Sequence, residues 1–123
     1  MARIIKLKSF RDSRGLLTVV QDEIPFEIKR TYYIQDVPSE EIMRGGHRHK
    51  TTTQALICIA GSCEIFNDDG KKKDTFQLDN PSTCLIIEPS DWHSMQKFTP
   101  DAVLLVFAST KYDVNDYIDE PYR

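Results

Sequence analysis

The 123 residues suffice for one ordinary domain, 1–123, and not for two. With 40% apolar and 10% aromatic residues against five Gly and six Pro, the chain can bury a core and is neither disordered nor collagenous. Sixteen Lys and Arg interspersed with nineteen Asp and Glu give a net charge of -3, which excludes a general basic field for nucleic acid or an anionic membrane.

The N-terminal residues break their apolar character with a charge every second or third position, so no signal-peptide core is present. No apolar stretch approaches the roughly 20 residues of a membrane span, and the chain reads as cytoplasmic. Strands are predicted at 4–8 and 16–21, around a polar turn at 11–15 that ends in Gly15. Residues 31–35 are β-branched and aromatic and stop before Pro38. Residues 54–60 are apolar on both faces, as a strand buried inside a sandwich or barrel would be. A further strand at 63–66 runs into Asp69-Gly70, a strong hairpin signal, and returns through 71–78. Three lysines, 71–73, mark that return strand as an exposed edge. Strands at 84–88, 92–98 and 102–109 follow, and 112–118 is compatible with one helical turn. Roughly eight to ten short strands with regular turns predict an all-β, antiparallel jelly-roll sandwich or small barrel. Cys58, Cys63 and Cys84 lack the spacing of zinc or redox sites, sit in apolar runs and read as buried free thiols. Asp113, Asp116, Asp119 and Glu120 read as a solvated acidic end.

Histidine is scarce, with three in the chain, and two of them stand together in Arg44-Gly-Gly-His-Arg-His-Lys50. Residues i and i+2 of a strand share a face, so His47 and His49 present two imidazoles side by side while Arg48 and Lys50 face away. The plain alternative is a structural pair of strand histidines.

His47-x-His49, Gln54 and Gly61 resemble the first motif of the cupins, jelly-roll proteins many of which hold a metal with two histidines, a glutamate and a later histidine. Here the glutamate position carries Gln54, a weaker, neutral ligand, and the later histidine, His93, sits one residue off the usual spacing after Pro89. A narrower resemblance runs nearly the whole length. Asp12-Ser-Arg-Gly15, Ile24-Pro-Phe26, Lys29-Arg-Thr-Tyr-Tyr-Ile34, Arg44–Lys50, Gly61-Ser62, Asp69-Gly70, Trp92-His93, Ala108–Asp113 and Asp116-Tyr-Ile118 are similar to the WxcM-like nucleotide-sugar 3,4-ketoisomerases. Gly46 departs from that pattern, where a larger residue is common.

The resemblance implies an isomerase that converts a dTDP-linked 4-keto-6-deoxyhexose to its 3-keto isomer, on the way to amino sugars of surface polysaccharide. It implies a homodimer, with N-terminal strands such as 4–7 exchanged. The residues suit this reaction with neither metal nor cofactor. A carbonyl moves from C4 to C3 by loss of the C3 proton, an enediol, and protonation at C4; imidazoles accept and donate near neutral pH. Acid–base work supplies ~10²–10⁴-fold, about 3–5 kcal/mol, so the enediolate needs stabilisation as well. The expected catalytic groups are His47 and His49, with Tyr33 and Arg44 on the oxyanion. Only one of Tyr32 and Tyr33 can point inward, and Tyr33 is the choice here. Arg14, Arg30 and Arg44 are candidates for the diphosphate, with Tyr32, Gln54, Trp92 and His93 as further substrate contacts. Two other readings stay open: a metal-dependent cupin enzyme using His47, His49 and His93, and a cupin that binds a nucleotide sugar without chemistry.

Overall fold

The computed structural model describes residues 1–123. The chain forms β1 (Arg3–Lys6), β2 (Lys8–Asp12), β3 (Gly15–Val19), β4 (Arg30–Gln35), β5 (Arg44–His49) and β6 (Gln54–Ala60). It continues through β7 (Cys63–Asp68), β8 (Lys73–Leu78), β9 (Thr83–Ile87), β10 (Trp92–Gln96) and β11 (Val103–Ala108), and ends in a single 3-10 turn, Val114–Asp116, and β12 (Tyr117–Ile118). Two five-stranded antiparallel sheets, ordered β1-β9-β6-β11-β4 and β12-β5-β10-β7-β8, face each other, and β2-β3 stands apart as a hairpin. This is the antiparallel jelly-roll expected of the sequence. No helix is long and apolar enough to cross a membrane.

The interior forms because alternate residues of both sheets are apolar. Leu56, Cys58, Leu85, Ile87, Leu104 and Val106 from the first sheet meet Cys63, Ile65, Leu78 and Met95 from the second, with Phe98 closing the end. The first sheet also buries its outer face, where Ala55, Ile57, Cys84 and Ile86 pack under Leu7 and Ile24 of the N-terminal segment. That second layer is why β6 is apolar on both sides. All three cysteines are free and buried.

Strand boundaries differ from expectation at the N-terminus. The predicted strand at 4–8 is interrupted at Leu7, which is buried and whose amide donates to the Ser82 carbonyl at 2.8 Å. Arg11 and Asp12 extend β2, and Gly15 sits opposite Asp12, so the turn is tighter than its polar residues suggested. The hairpin at Asp69-Gly70 forms as predicted, and β8 with Lys73 is a sheet edge. Gly61 turns β6 into β7 with φ +62°, and a Cβ there would lie 2.8 Å from the Ala102 Cα, so no side chain fits. The C-terminal turn is capped by Asp113, which accepts from the Asn115 amide at 3.0 Å.

Candidate active site

The polar end of the sandwich is built by the same alternation that builds its apolar end. On β5, His47 and His49 point inward; on β10, His93 does, opposite His47 in the register, with Trp92, Ser94 and Gln96 on the other face. A bulge between His93 and Ser94 disturbs that pairing. Gly45 lies opposite Ser94 with φ +74°, and a Cβ there would press on the His93 carbonyl at 3.3 Å, so glycine lets β5 approach β10 closely. From the opposite sheet, Arg30 and Tyr32 of β4 and Gln54 of β6 face the imidazoles. Ala108 pairs with both Arg30 and Gln54, and its small side chain leaves the space those longer groups occupy.

The three imidazoles form one cluster, with ring centroids 5.1 Å apart for His47–His49, 5.1 Å for His47–His93 and 5.9 Å for His49–His93. Each offers a ring nitrogen, all within 4.8 Å of one another. Tyr117, paired with His49 through β12, lays its ring 4.7 Å from His47 and 4.6 Å from His49. A cavity of about 240 Å³ opens over this cluster, lined by Arg30, Tyr32, Arg44, His47, Met95 and Tyr117, among others.

Hydrogen bonds fix the protonation pattern. His49 Nδ1 lies 3.0 Å from Asp116 Oδ2, and a carboxylate only accepts, so Nδ1 carries the proton. His93 Nδ1 donates to the Asp91 carbonyl at 3.1 Å by the same logic. The Nε2 atoms of both rings are buried without a partner, as is Gln54 Oε1. Gln54 Nε2 donates to the Tyr32 hydroxyl at 3.1 Å, which leaves the phenol proton free to donate elsewhere.

Burial dominates the electrostatics. Desolvation, with His49 nearby, lowers His47 to about 4, and full burial lowers His93 to about 3. Desolvation also lowers His49, against the opposing pull of Asp116. Burial works to raise the Asp116 carboxyl, but hydrogen bonds from Thr52, Thr51 and His49 bring it down to about 2. Desolvation raises Tyr32, which stays a neutral donor. At neutral pH the site therefore holds neutral imidazoles beside an ionised carboxylate.

The structure brings together His47, His49, His93, Arg30, Tyr32, Arg44 and Gln54, and leaves three expected residues outside. Tyr33 projects from the opposite face of β4 and is 63% exposed, because strand alternation with Arg30, Tyr32 and Ile34 inward turns it out. The inward phenol is Tyr32, which corrects the choice made from sequence. Trp92, out of phase with His93, stands outside the cluster, stacked edge-on against Phe66 and donating Nε1–H to the Asp119 carbonyl at 3.1 Å. Arg14 lies in the exposed turn between β2 and β3, ion-paired to Asp12 at 2.6 Å and away from the cavity. Asp116 is not a solvated residue at all; it is buried against β5. Asp116 and Tyr117 are the site residues that sequence reasoning missed.

A family model described as WxcM-like, C-terminal, matches residues 1–123. The chain is 44% identical over 118 residues to a TDP-4-oxo-6-deoxy-alpha-D-glucose-3,4-oxoisomerase of Aneurinibacillus thermoaerophilus, covering 94% of this chain and 84% of that protein. Among solved structures, a variant of the 3,4-ketoisomerase QdtA from Thermoanaerobacterium thermosaccharolyticum, in complex with TDP-4-keto-6-deoxyglucose, superposes with a TM-score of 0.92 at 41% identity, over 97% of this chain and 87% of that one. A 3,4-ketoisomerase from Helicobacter canadensis gives a TM-score of 0.92 at 40% identity, over 97% and 90% of the two chains.

Proposed function

The chain belongs to the WxcM-like family, and on that premise we propose that it is a nucleotide-sugar 3,4-ketoisomerase acting on a dTDP-linked 4-keto-6-deoxyhexose. One observation carries this reading: 44% identity, over nearly the full length, to a protein named for that oxoisomerase reaction. The geometry supplies the chemistry. Isomerisation takes a proton from C3, turns the C4 carbonyl into an enediolate oxygen that takes up a proton to become the C4 hydroxyl, delivers a second proton to C4 and releases the C3 hydroxyl proton as C3 becomes the ketone. No electrons leave the sugar. Neutral His47 and His49 are the acceptors and donors for these transfers, and His47 reaches the cavity wall directly. Tyr32, whose hydroxyl already accepts from Gln54, donates its own proton toward the developing oxyanion. Arg30 and Arg44, both lining the cavity, add positive charge for the oxyanion or the diphosphate.

Incubation with dTDP-4-keto-6-deoxyglucose in deuterated water tests the reading by NMR. Deuterium at C3 or C4 of the sugar together with a 3-keto product is the expected outcome. Binding of dTDP with no exchange and no product moves the protein to the non-catalytic class.

A metal-dependent reaction is the second reading, favoured by one observation, the convergence of three imidazole nitrogens within 4.8 Å. The neutral Gln54 in place of a carboxylate supports the metal-free one. Stoichiometric iron, zinc or manganese in purified protein, with activity lost to a chelator, would overturn metal independence.

Two copies form the working unit in this reading, with N-terminal strands exchanged. In support of a second copy, the β2-β3 hairpin exposes Phe10, Leu16 and Leu17; β1, the edge strand that would exchange, pairs here with β9 of its own chain. Light scattering on the purified protein separates a dimer from a monomer. The three free thiols suit a reducing compartment, the cytoplasm.

A further inference from the structure

Four donors converge on the Asp116 carboxylate. Oδ1 accepts from the Thr51 amide at 2.9 Å and the Thr51 hydroxyl at 2.8 Å; Oδ2 accepts from the Thr52 hydroxyl and from His49 Nδ1 at 3.0 Å. Thr52 spends its proton on Asp116 and in turn accepts from Thr110 at 2.6 Å. The Lys50 amide donates to the Asp116 carbonyl at 2.9 Å, so main chain as well as side chain is tied to the end of β5. A carboxylate saturated in this way has no reason to take a proton from the ring, and the proton remains on Nδ1.

We infer that Asp116 is a positioning residue for the isomerisation, holding His49 in the single tautomer and orientation that aims an unprotonated Nε2 at His47 and His93. This rests on the ketoisomerase reading above, in which His49 handles a substrate proton. The alternative tautomer would set two acceptors, Nδ1 and the Asp116 carboxylate, against each other at 3.0 Å and leave the ring no basic nitrogen on the side of the cluster. His93 makes the instructive contrast. Its Nδ1 is held by a neutral carbonyl, so its tautomer is fixed too, but no charge stands behind the ring to stabilise it when it gains a proton. Of the two buried imidazoles, His49 alone is backed by a carboxylate, the arrangement that orients an imidazole and stabilises its protonated form elsewhere.

Long-range ¹H–¹⁵N NMR of the histidine side chains tests the tautomer without reference to activity. In the wild-type protein at neutral pH, His49 shows a protonated Nδ1 and an unprotonated Nε2. In Asp116→Asn the carboxamide can donate to Nδ1, and the ring switches to Nε2–H. Turnover then falls about 10²–10⁴-fold, as when a similar carboxylate–imidazole pair loses its charge, while KM moves less than about threefold. Thr52→Val keeps the carboxylate, keeps the tautomer and loses less than about tenfold. An Nε2–H tautomer of His49 in the wild-type protein overturns the inference, and that spectrum decides even if Asp116→Asn does not fold. Wild-type kcat in a folded Asp116→Asn variant overturns it as well. A wild-type protein with the expected tautomer but no isomerisation of dTDP-4-keto-6-deoxyglucose refutes the ketoisomerase reading instead.

Discussion

The two ends of the sandwich interior are made by the same strands in the same phase, yet they differ completely in chemistry. Along β6, Gln54 gives way to Leu56 and Cys58; along β10, His93 gives way to Met95; along β4, Arg30 and Tyr32 give way to Ile34. Packing decides one end and hydrogen bonding the other. The apolar end is more than a support. It keeps water from the base of the histidine cluster, and burial is the first cause of the lowered His47, His49 and His93 values. The lesson is that the floor of the cavity sets the protonation state of its wall.

The sharpest way to break the comparison is to remove an imidazole and leave the floor intact. His47→Asn or His49→Asn should lower turnover by at least ~10²-fold while thermal unfolding stays cooperative, measured by product formation and calorimetry. Wild-type turnover in either variant would take that ring out of the mechanism. A somewhat smaller loss, about 10²–10³ in kcat, is expected for Tyr32→Phe, which deletes one oxyanion donor. Tyr33→Phe, one position along the strand and on the outer face, should leave kcat unchanged. Reversal of this pair would show that β4 presents its other face to the substrate.

Acid stability sharpens the comparison from the other end. His93 is fully buried and held neutral, with a folded value of about 3 against 6.5 for a free ring. Between those values the unfolded chain binds the proton that the folded one refuses, so stability is fully present above pH ~6.5 and falls on acidification toward pH ~3. The contribution is up to ~1.4 kcal/mol per pH unit. Urea unfolding across this window should show at least that slope, to which the lowered His47 and His49 add, and His93→Gln should make it shallower. An equal slope in the variant would assign the acid sensitivity to other groups, Asp116 among them below pH ~4.

Much of this contrast is legible in the amino-acid sequence. The i, i+2 spacing places His47 and His49 on one face, and the doubly apolar run at 54–60 is a strand with cores on both sides. The phase of β4 was also written in the chain, since Ile34 packs on the core and Tyr32 stands two residues before it, but phenol chemistry alone could not choose between neighbours. Trp92 misled for the same reason, because adjacency to His93 in a strand means the opposite face. Asp116 was beyond reach because its partner is 67 residues away and nothing local to Asp113–Asp119 signals burial. The one available hint was Thr51-Thr-Thr53, consecutive hydroxyl donors beside the histidines that need an acceptor.

Vectorial synthesis gives the link between His49 and Asp116 a meaning in time. At about 5–20 residues per second, Asp116 is made roughly 3–13 s after His49. During that interval β5 has no β12 beside it, and His49 has neither its carboxylate nor the Tyr117 ring against it. The last residue of the apolar core, Val106, is made only about 0.5–2 s before Asp116 at the same rate. The carboxylate that orients His49 is thus added after every residue of the apolar core.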